Sequence, residues 1–241
     1  MKQPRVIAHR AMTPGSAENA ISSLAALVDA GADIVEMDIR LSLDRQPFVT
    51  HDAFLKRTTR SRGWVGLWPS PLLRRVHLRD GLPGERVPSL ATMLQQFPTE
   101  LEPAFHLKDR GALNQVLQAI SRYGTPSRTW LWLERMSDVR RAMIRLPELR
   151  CTLLRPAGWA PERRLKYIHE AAQSGAAAIS IPWGAVSPEF VTLAHQRELL
   201  VFSRFQDMPT VVTNVSHGLD GIITDDPASV SSELKDVRTQ R

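Results

Sequence analysis

Four short stretches carry side chains that could move protons or hold charge. His9 and Arg10 close one strand-like run, and Glu36 and Asp38 lie two apart in another. His51 and Asp52 follow the short run Pro47–Thr50, and His106 and Lys108 end a fourth, again two apart. Residues two apart on a strand point to the same side. Histidine, with an unperturbed pKa of roughly 6.5, can take or give a proton near neutrality. Each feature alone has a plainer reading, a hydrogen-bonded packing histidine or a solvated pair of acids. Together, at successive strand ends, they point to one site.

The elements that must position these residues alternate in type. Strand patterns run over Arg5–His9, Ile34–Leu41, Ala104–Lys108, Thr129–Leu133, Arg150–Leu154, Ala178–Pro182, Leu200–Arg204 and Gly221–Thr224. Helical patterns lie between them, over Asn19–Ala30, Leu90–Gln96, Leu113–Arg122, Ser137–Arg145, Glu162–Ser174, Pro188–Arg197, Pro209–Val215 and Pro227–Asp236. Eight strand-helix units of about 30 residues each predict a single (β/α)8 TIM barrel over residues 1–241, with its site at the C-terminal ends of the strands. An open doubly wound sheet competes, but no glycine-rich dinucleotide loop follows the first strand. One connection is overlong. Residues 53–88, with Trp64, Trp68 and five arginines from Arg57 to Arg75, are expected to form a lid or small insertion, the alternative being a surface excursion.

Composition narrows the class. Of 241 residues, 43% are hydrophobic and 23% charged, enough for a full core. No run approaches the roughly 18 apolar residues of a membrane span, so no stable membrane insertion is expected. The first residues, MKQPRVIAHR, enter a strand pattern at once, and the lone Cys151 fits a reducing compartment, so a cytoplasmic location is expected. The net charge is +6, and 26 of the 31 basic residues are arginine. Arginine grips phosphate bidentately, and a positive field draws anionic substrates, although a solvated arginine surface explains the same composition. No zinc-finger, RNA-binding or homeodomain pattern appears, so no nucleic-acid partner is expected. Oligomeric state is left open.

The strings IAHR at 7–10, AEN at 17–19, GADIVEMDIRLSLDRQPFVTHD at 31–52, RTT at 57–59, PSL at 88–90, LKD at 107–109 and GLDGIITDDP at 218–227 fall in the order of a known family. By them the chain resembles the glycerophosphodiester phosphodiesterases, a branch of the phosphatidylinositol-phospholipase-C-like barrels. The resemblance implies a phosphodiester hydrolase acting on a small-molecule substrate, with His9 and His51 as the general acid-base pair. It implies Arg10 and Lys108 on the phosphoryl group, and Glu18 as a supporting carboxylate near His9. Glu36 and Asp38 would hold a divalent cation, Mg²⁺ or Ca²⁺ in the family. The alternatives are a barrel that binds phosphate without turnover, and the same chemistry on a sugar-phosphate or lysophospholipid diester.

The chain departs from the family pattern in places. Ala11 replaces a glycine, and Ala17 and Ala20 replace a proline and a threonine. His106 stands where the family commonly has a third carboxylate ligand; an imidazole there favours Mn²⁺ or Zn²⁺. Phe202 stands near a position where the family usually presents tryptophan. Glu134, ending the fourth strand, could supply the charge that His106 lacks, or pair with Arg135, Arg140 or Arg141. Asp225 and Asp226 read as a helix start. Trp64 and Trp68 read as lid packing or ligand contact, and Trp159 and Trp183 as rim or core packing.

Overall fold

The computed structural model describes residues 3–154, 163–204 and 211–239. Among the described residues nine strands form: β1 (Arg5–Ala8), β2 (Ile34–Leu41), β3 (Pro47–Val49), β4 (Glu102–Leu107), β5 (Trp130–Leu133), β6 (Arg150–Leu154), β7 (Ala178–Ile181), β8 (Leu200–Arg204) and β9 (Gly221–Thr224). All but β3 are parallel, in the order β1-β9-β8-β7-β6-β5-β4-β2, and the pairing of Ile7 with Ile34 and Ala8 with Val35 joins β1 to β2 and closes the barrel. β3 folds back antiparallel on β2 as a hairpin.

The closure follows from strand parity. On β2, Val35, Met37, Ile39 and Leu41 enter the apolar layer beneath the helices, while the alternate residues Ile34, Glu36 and Asp38 face the barrel axis. The helices in chain order are α1 (Ser23–Asp29), α2 (Ser70–Leu73), α3 (Leu90–Gln95), α4 (Leu113–Tyr123), α5 (Met136–Arg145), α6 (Arg164–Gln173), α7 (Pro188–His195), α8 (Val211–His217) and α9 (Pro227–Thr239). Ser89 and Ser187 cap α3 and α7 by accepting the N–H of Thr92 and Phe190, each at 3.2 Å. α1 starts later than the pattern predicts. Asn19 sits in the left-handed region (φ 57°), and its side-chain carbonyl accepts the Asp38 N–H at 3.1 Å, so it is unavailable to the helix. Trp159 lies outside the described residues.

The barrel interior is filled. Ile7, Ile34, Ala104, Trp130, Trp132, Ala178, Phe202 and Ile223 form one cluster, with Trp130 and Phe202 edge to face at 5.5 Å. Gly221 is required there: a Cβ would stand 2.6 Å from the Phe202 ring and 2.8 Å from Ile7. Below this cluster, at the N-terminal end of the strands, Glu102 accepts from Trp130 Nε1 at 2.8 Å and pairs with Arg5 at 2.7 Å and Arg150 at 3.1 Å. The Arg150 guanidinium also stacks 4.7 Å from the Trp130 ring centroid.

Residues 53–88 pack a second core. Leu55, Val65, Leu73, Val76, Leu78 and Val87 cluster with Phe48 and with Ala17 and Ala20. Ala17 and Ala20 are thus packing residues of this core. The segment contains α2, a short 3-10 turn over Val65–Leu67 and isolated bridges such as Thr59 to Leu78.

The floor makes a stability prediction. Burial opposes ionisation of Glu102, but Arg5, Trp130 and Arg150 outweigh it and hold the carboxyl below its ordinary 4.5. A lowered folded pKa contributes stability above the unfolded value, and that contribution is lost as pH falls through the folded one. Glu102→Ala should destabilise by about 1–3 kcal/mol at pH 7. The Tm difference from wild type should shrink in thermal scans taken progressively below pH 4.5.

Candidate active site

The parallel pairing of β1 with β9 sets Ala8 beside Thr224. One residue further along each strand, His9 Nδ1 meets Asp225 Oδ1 at 2.6 Å. Arg204, the last residue of β8, places Nη2 3.3 Å from Asp225 Oδ2 and 3.2 Å from the same His9 nitrogen. Burial works against the Asp225 charge, but His9 and Arg204 outweigh it and hold its carboxyl below the usual value. With Nδ1–H donated to Asp225, the tautomer presents Nε2 for chemistry. The helix-start reading of the Asp225–Asp226 pair therefore holds for one residue only. Asp226 accepts the Ser229 N–H at 3.1 Å, whereas Asp225 faces His9.

His51 repeats the arrangement on the other side. Its Nδ1 lies 2.7 Å from Asp52 Oδ1, and its Nε2 accepts from Arg10 Nη2 at 2.9 Å. Arg57 grips Asp52 Oδ2 at 2.5 Å and reaches both oxygens of Glu18 at 2.8 and 2.6 Å. Burial is the largest single influence on Asp52 and opposes its charge, but Arg57 and His51 together outweigh it, and its carboxyl falls to about 2. Arg40 fixes the backbone here, donating to the His51 carbonyl at 2.7 Å and to Asp109 at 2.7 Å. Glu18 joins the site through Arg10, at 3.3 Å, rather than through His9.

Arg10 occupies a strained turn. Arg10 (φ 54°) and Ala11 (φ 47°) both lie in the left-handed region, and Ala11 is buried. A residue with a Cβ is destabilised there by about 1–2 kcal/mol. The turn is held because Arg10 N–H donates to Glu36 Oε2 at 3.0 Å and the Arg10 carbonyl accepts from Asn19 N–H at 2.6 Å.

Glu36, Asp38 and His106 each offer a ligand atom within 4.8 Å of the others. The register of β2 and β4 sets Asp38 opposite His106, whose Nδ1 lies 3.6 Å from both carboxylates. Burial opposes the Glu36 charge, yet His106, His9 and the Arg10 amide outweigh it and lower its pKa. Burial and the Glu36 charge raise Asp38, even with Lys108 Nζ at 3.1 Å. Among the described residues, buried Asp38 Oδ2 and His106 Nε2 have no hydrogen-bond partner. Two carboxylates and an imidazole, with an acceptor and a ring nitrogen unsatisfied, fit a divalent cation. Glu134 is 69% exposed, its Oε1 4.0 Å from His106 Nε2, while Arg135 and Arg141 pair with Asp138 instead.

These groups open into a cavity of about 820 Å³, lined by His9, Arg10, Glu36, His51, His106, Lys108, Trp132, Glu134 and Arg204 among others. Thus the candidates from the sequence converge, with Glu18 behind Arg10. Asp225 and Arg204 join them unforeseen. They are distant from His9 in sequence, and only closure of the barrel brings them to it.

Known proteins share this architecture. A glycerophosphodiester phosphodiesterase of Caldanaerobacter subterraneus is 25% identical over 240 residues, 93% of this chain and 95% of that protein. A solved glycerophosphodiester phosphodiesterase from Parabacteroides distasonis superposes with a TM-score of 0.83 at 22% identity, covering 99% of this chain and 100% of its own. A phosphodiesterase of Oleispira antarctica, solved with its product sn-glycerol-3-phosphate, does so with a TM-score of 0.80 at 21% identity and 97% coverage of both chains. Residues 9–229 match the Glycerophosphoryl diester phosphodiesterase family, and the chain belongs to that family.

Proposed function

We propose that this cavity hydrolyses a glycerophosphodiester to a glycerol phosphate and an alcohol, with His9 and His51 exchanging protons with the substrate. The family is one of phosphoric diester hydrolases. The observation that carries the reading is the pair of histidines that line one cavity, each with Nδ1 held by an aspartate. The Oleispira relative, with a glycerol phosphate product bound, supports the substrate class.

In the resting arrangement His51 Nε2 accepts a hydrogen bond from Arg10, so it carries a lone pair and suits the base. It takes the proton of the attacking hydroxyl as the new P–O bond forms. His9 takes the part of the acid as the imidazolium, with Nδ1–H on Asp225 and a second proton on Nε2, which it gives to the leaving alkoxide as the old P–O bond breaks. Asp225 and Asp52 fix the two rings, Asp225 stabilising the imidazolium with which His9 starts and Asp52 the imidazolium that His51 becomes. Arg10 and Lys108 bind the phosphoryl oxygens, with Glu18 steadying Arg10. Glu36, Asp38 and His106 would hold a divalent cation, which when bound neutralises charge on a phosphate oxygen. Mg²⁺ or Ca²⁺ follows from the family, and Mn²⁺ or Zn²⁺ if the imidazole is a ligand.

The test is hydrolysis of glycerophosphocholine and an aryl diester by the purified protein with EDTA, Mg²⁺, Ca²⁺, Mn²⁺ or Zn²⁺. His9→Ala and His51→Ala should each lower kcat by roughly 10²–10⁴ while circular dichroism stays that of the wild type. Turnover untouched in both variants sinks the acid-base assignment. No turnover with any metal, from a folded protein that binds glycerol phosphate in calorimetry, selects the phosphate-binding alternative.

Asp225→Ala should lower kcat by roughly tenfold or more, with KM little changed, because it frees the His9 ring without touching the phosphate ligands. Cation binding has its own readout. A metal at about a hundred times its Kd should stabilise the fold by about 2.7 kcal/mol in thermal melts without substrate, and Asp38→Asn should abolish that rise.

A further inference from the structure

The molecule's net charge is gathered outside the catalytic cavity. Residues 53–88 carry eight basic residues, Lys56 and seven arginines, against Asp80 and Glu85. That net +6 equals the net charge of the entire chain, so the remainder is neutral. Among the described residues, only Arg57 of the eight has a carboxylate within ion-pair distance.

The same segment leaves large apolar side chains in solvent: Phe54 is 38% exposed, Trp64 56% and Leu67 67%. The Phe54 and Trp64 rings meet edge to face at 5.4 Å, beside a shallow groove shared with Lys56, Arg57 and Arg79. A neighbouring groove joins Trp64 and Leu67 to Asp109, which also lines the catalytic cavity. The apolar and basic surface thus runs to the cavity mouth. It is firmly built, since Leu55 and Val65 anchor it in the second core and Arg79 donates to the carbonyls of Lys56 at 2.6 Å and Thr59 at 3.0 Å.

Exposed aromatic and aliphatic groups ringed by unneutralised cations match a surface that is anionic at the top and apolar beneath. Tryptophan favours that boundary because its ring is apolar and its N–H polar. A second copy of the chain fits poorly, because it would set two +6 segments against each other. A nucleic acid would answer the charge but leave Phe54 and Leu67 without a complement.

We propose that residues 53–88 dock the protein on an anionic lipid surface. Phe54, Trp64 and Leu67 enter the headgroup layer, Lys56, Arg62 and Arg79 face anionic headgroups, and the cavity mouth opens toward the bilayer. Taken with the phosphodiesterase reading, on which this consequence alone rests, docking names the substrate class: a glycerophosphodiester that still carries an acyl chain.

The experiment is co-flotation of the protein, without substrate, with vesicles of phosphatidylglycerol and phosphatidylcholine or of phosphatidylcholine alone. The protein should float with the anionic vesicles only, and less so in high salt. Lys56→Glu with Arg62→Glu, and separately Trp64→Ser with Leu67→Ser, should each weaken flotation by roughly tenfold or more. Hydrolysis of glycerophosphocholine should stay at the wild-type rate in both variants. Folded protein that fails to float with anionic vesicles overturns the proposal, as does flotation indifferent to both variants. Binding confined to an oligonucleotide, or self-association through this segment in sedimentation, overturns it too. Absent hydrolysis by the wild type would count against the phosphodiesterase reading alone, since flotation is read without chemistry.

Discussion

Glu36 and Asp38 occupy consecutive inward positions on one strand, both nearly out of solvent, and two negative charges so placed must be answered by positive ones. Much of the upper barrel is that answer. Lys108 and His106 come from β4, and Arg10 comes from the turn after β1 with both its amide and its guanidinium. The left-handed conformation at Arg10 and Ala11 belongs to the same constraint, because that turn aims the amide at Glu36. Strain concentrated where the surroundings over-determine it is typical of functional sites.

Around this centre the histidines are oriented by carboxylates of very different origin. Asp52 is the residue next to His51, so its support is local. Asp225 reaches His9 across the barrel's closure. Each ring ends with Nδ1 against an aspartate, by unrelated routes. Arg57 then ties the His51 side to the second core, since it bridges Asp52 and Glu18 from within residues 53–88. The segment that departs most from a plain strand-helix unit is therefore mechanically continuous with the site.

Local pattern made the barrel and most of the site legible in the sequence. Two-residue spacing within a strand pattern marked Glu36 and Asp38 as a pair on one face, and strand-end position marked His9 and His106. What escaped depended on pairing between distant strands or on competition for one side chain. Asp225 looked like a cap because the helix that follows does need one, and only the neighbouring Asp226 supplies it. Asn19 opened a helical pattern, but the Asp38 amide claims its side chain. Glu134 had three arginines close in sequence, and two of them turn to Asp138. Ala17 and Ala20 read as turn residues in the sequence, which carries no sign that they also pack against a second core.

The floor formed by Glu102, Arg5, Arg150 and Trp130, with the packed cluster above it, makes the barrel a vessel closed at one end. Whatever enters does so through the rim that carries the chemistry, and whatever is made must leave by the same doorway. The two halves of a split molecule cannot depart in opposite directions. Traffic is one-lane, so the second fragment to leave holds the site against the next arrival, and a fragment abundant outside competes at that rim with fresh substrate.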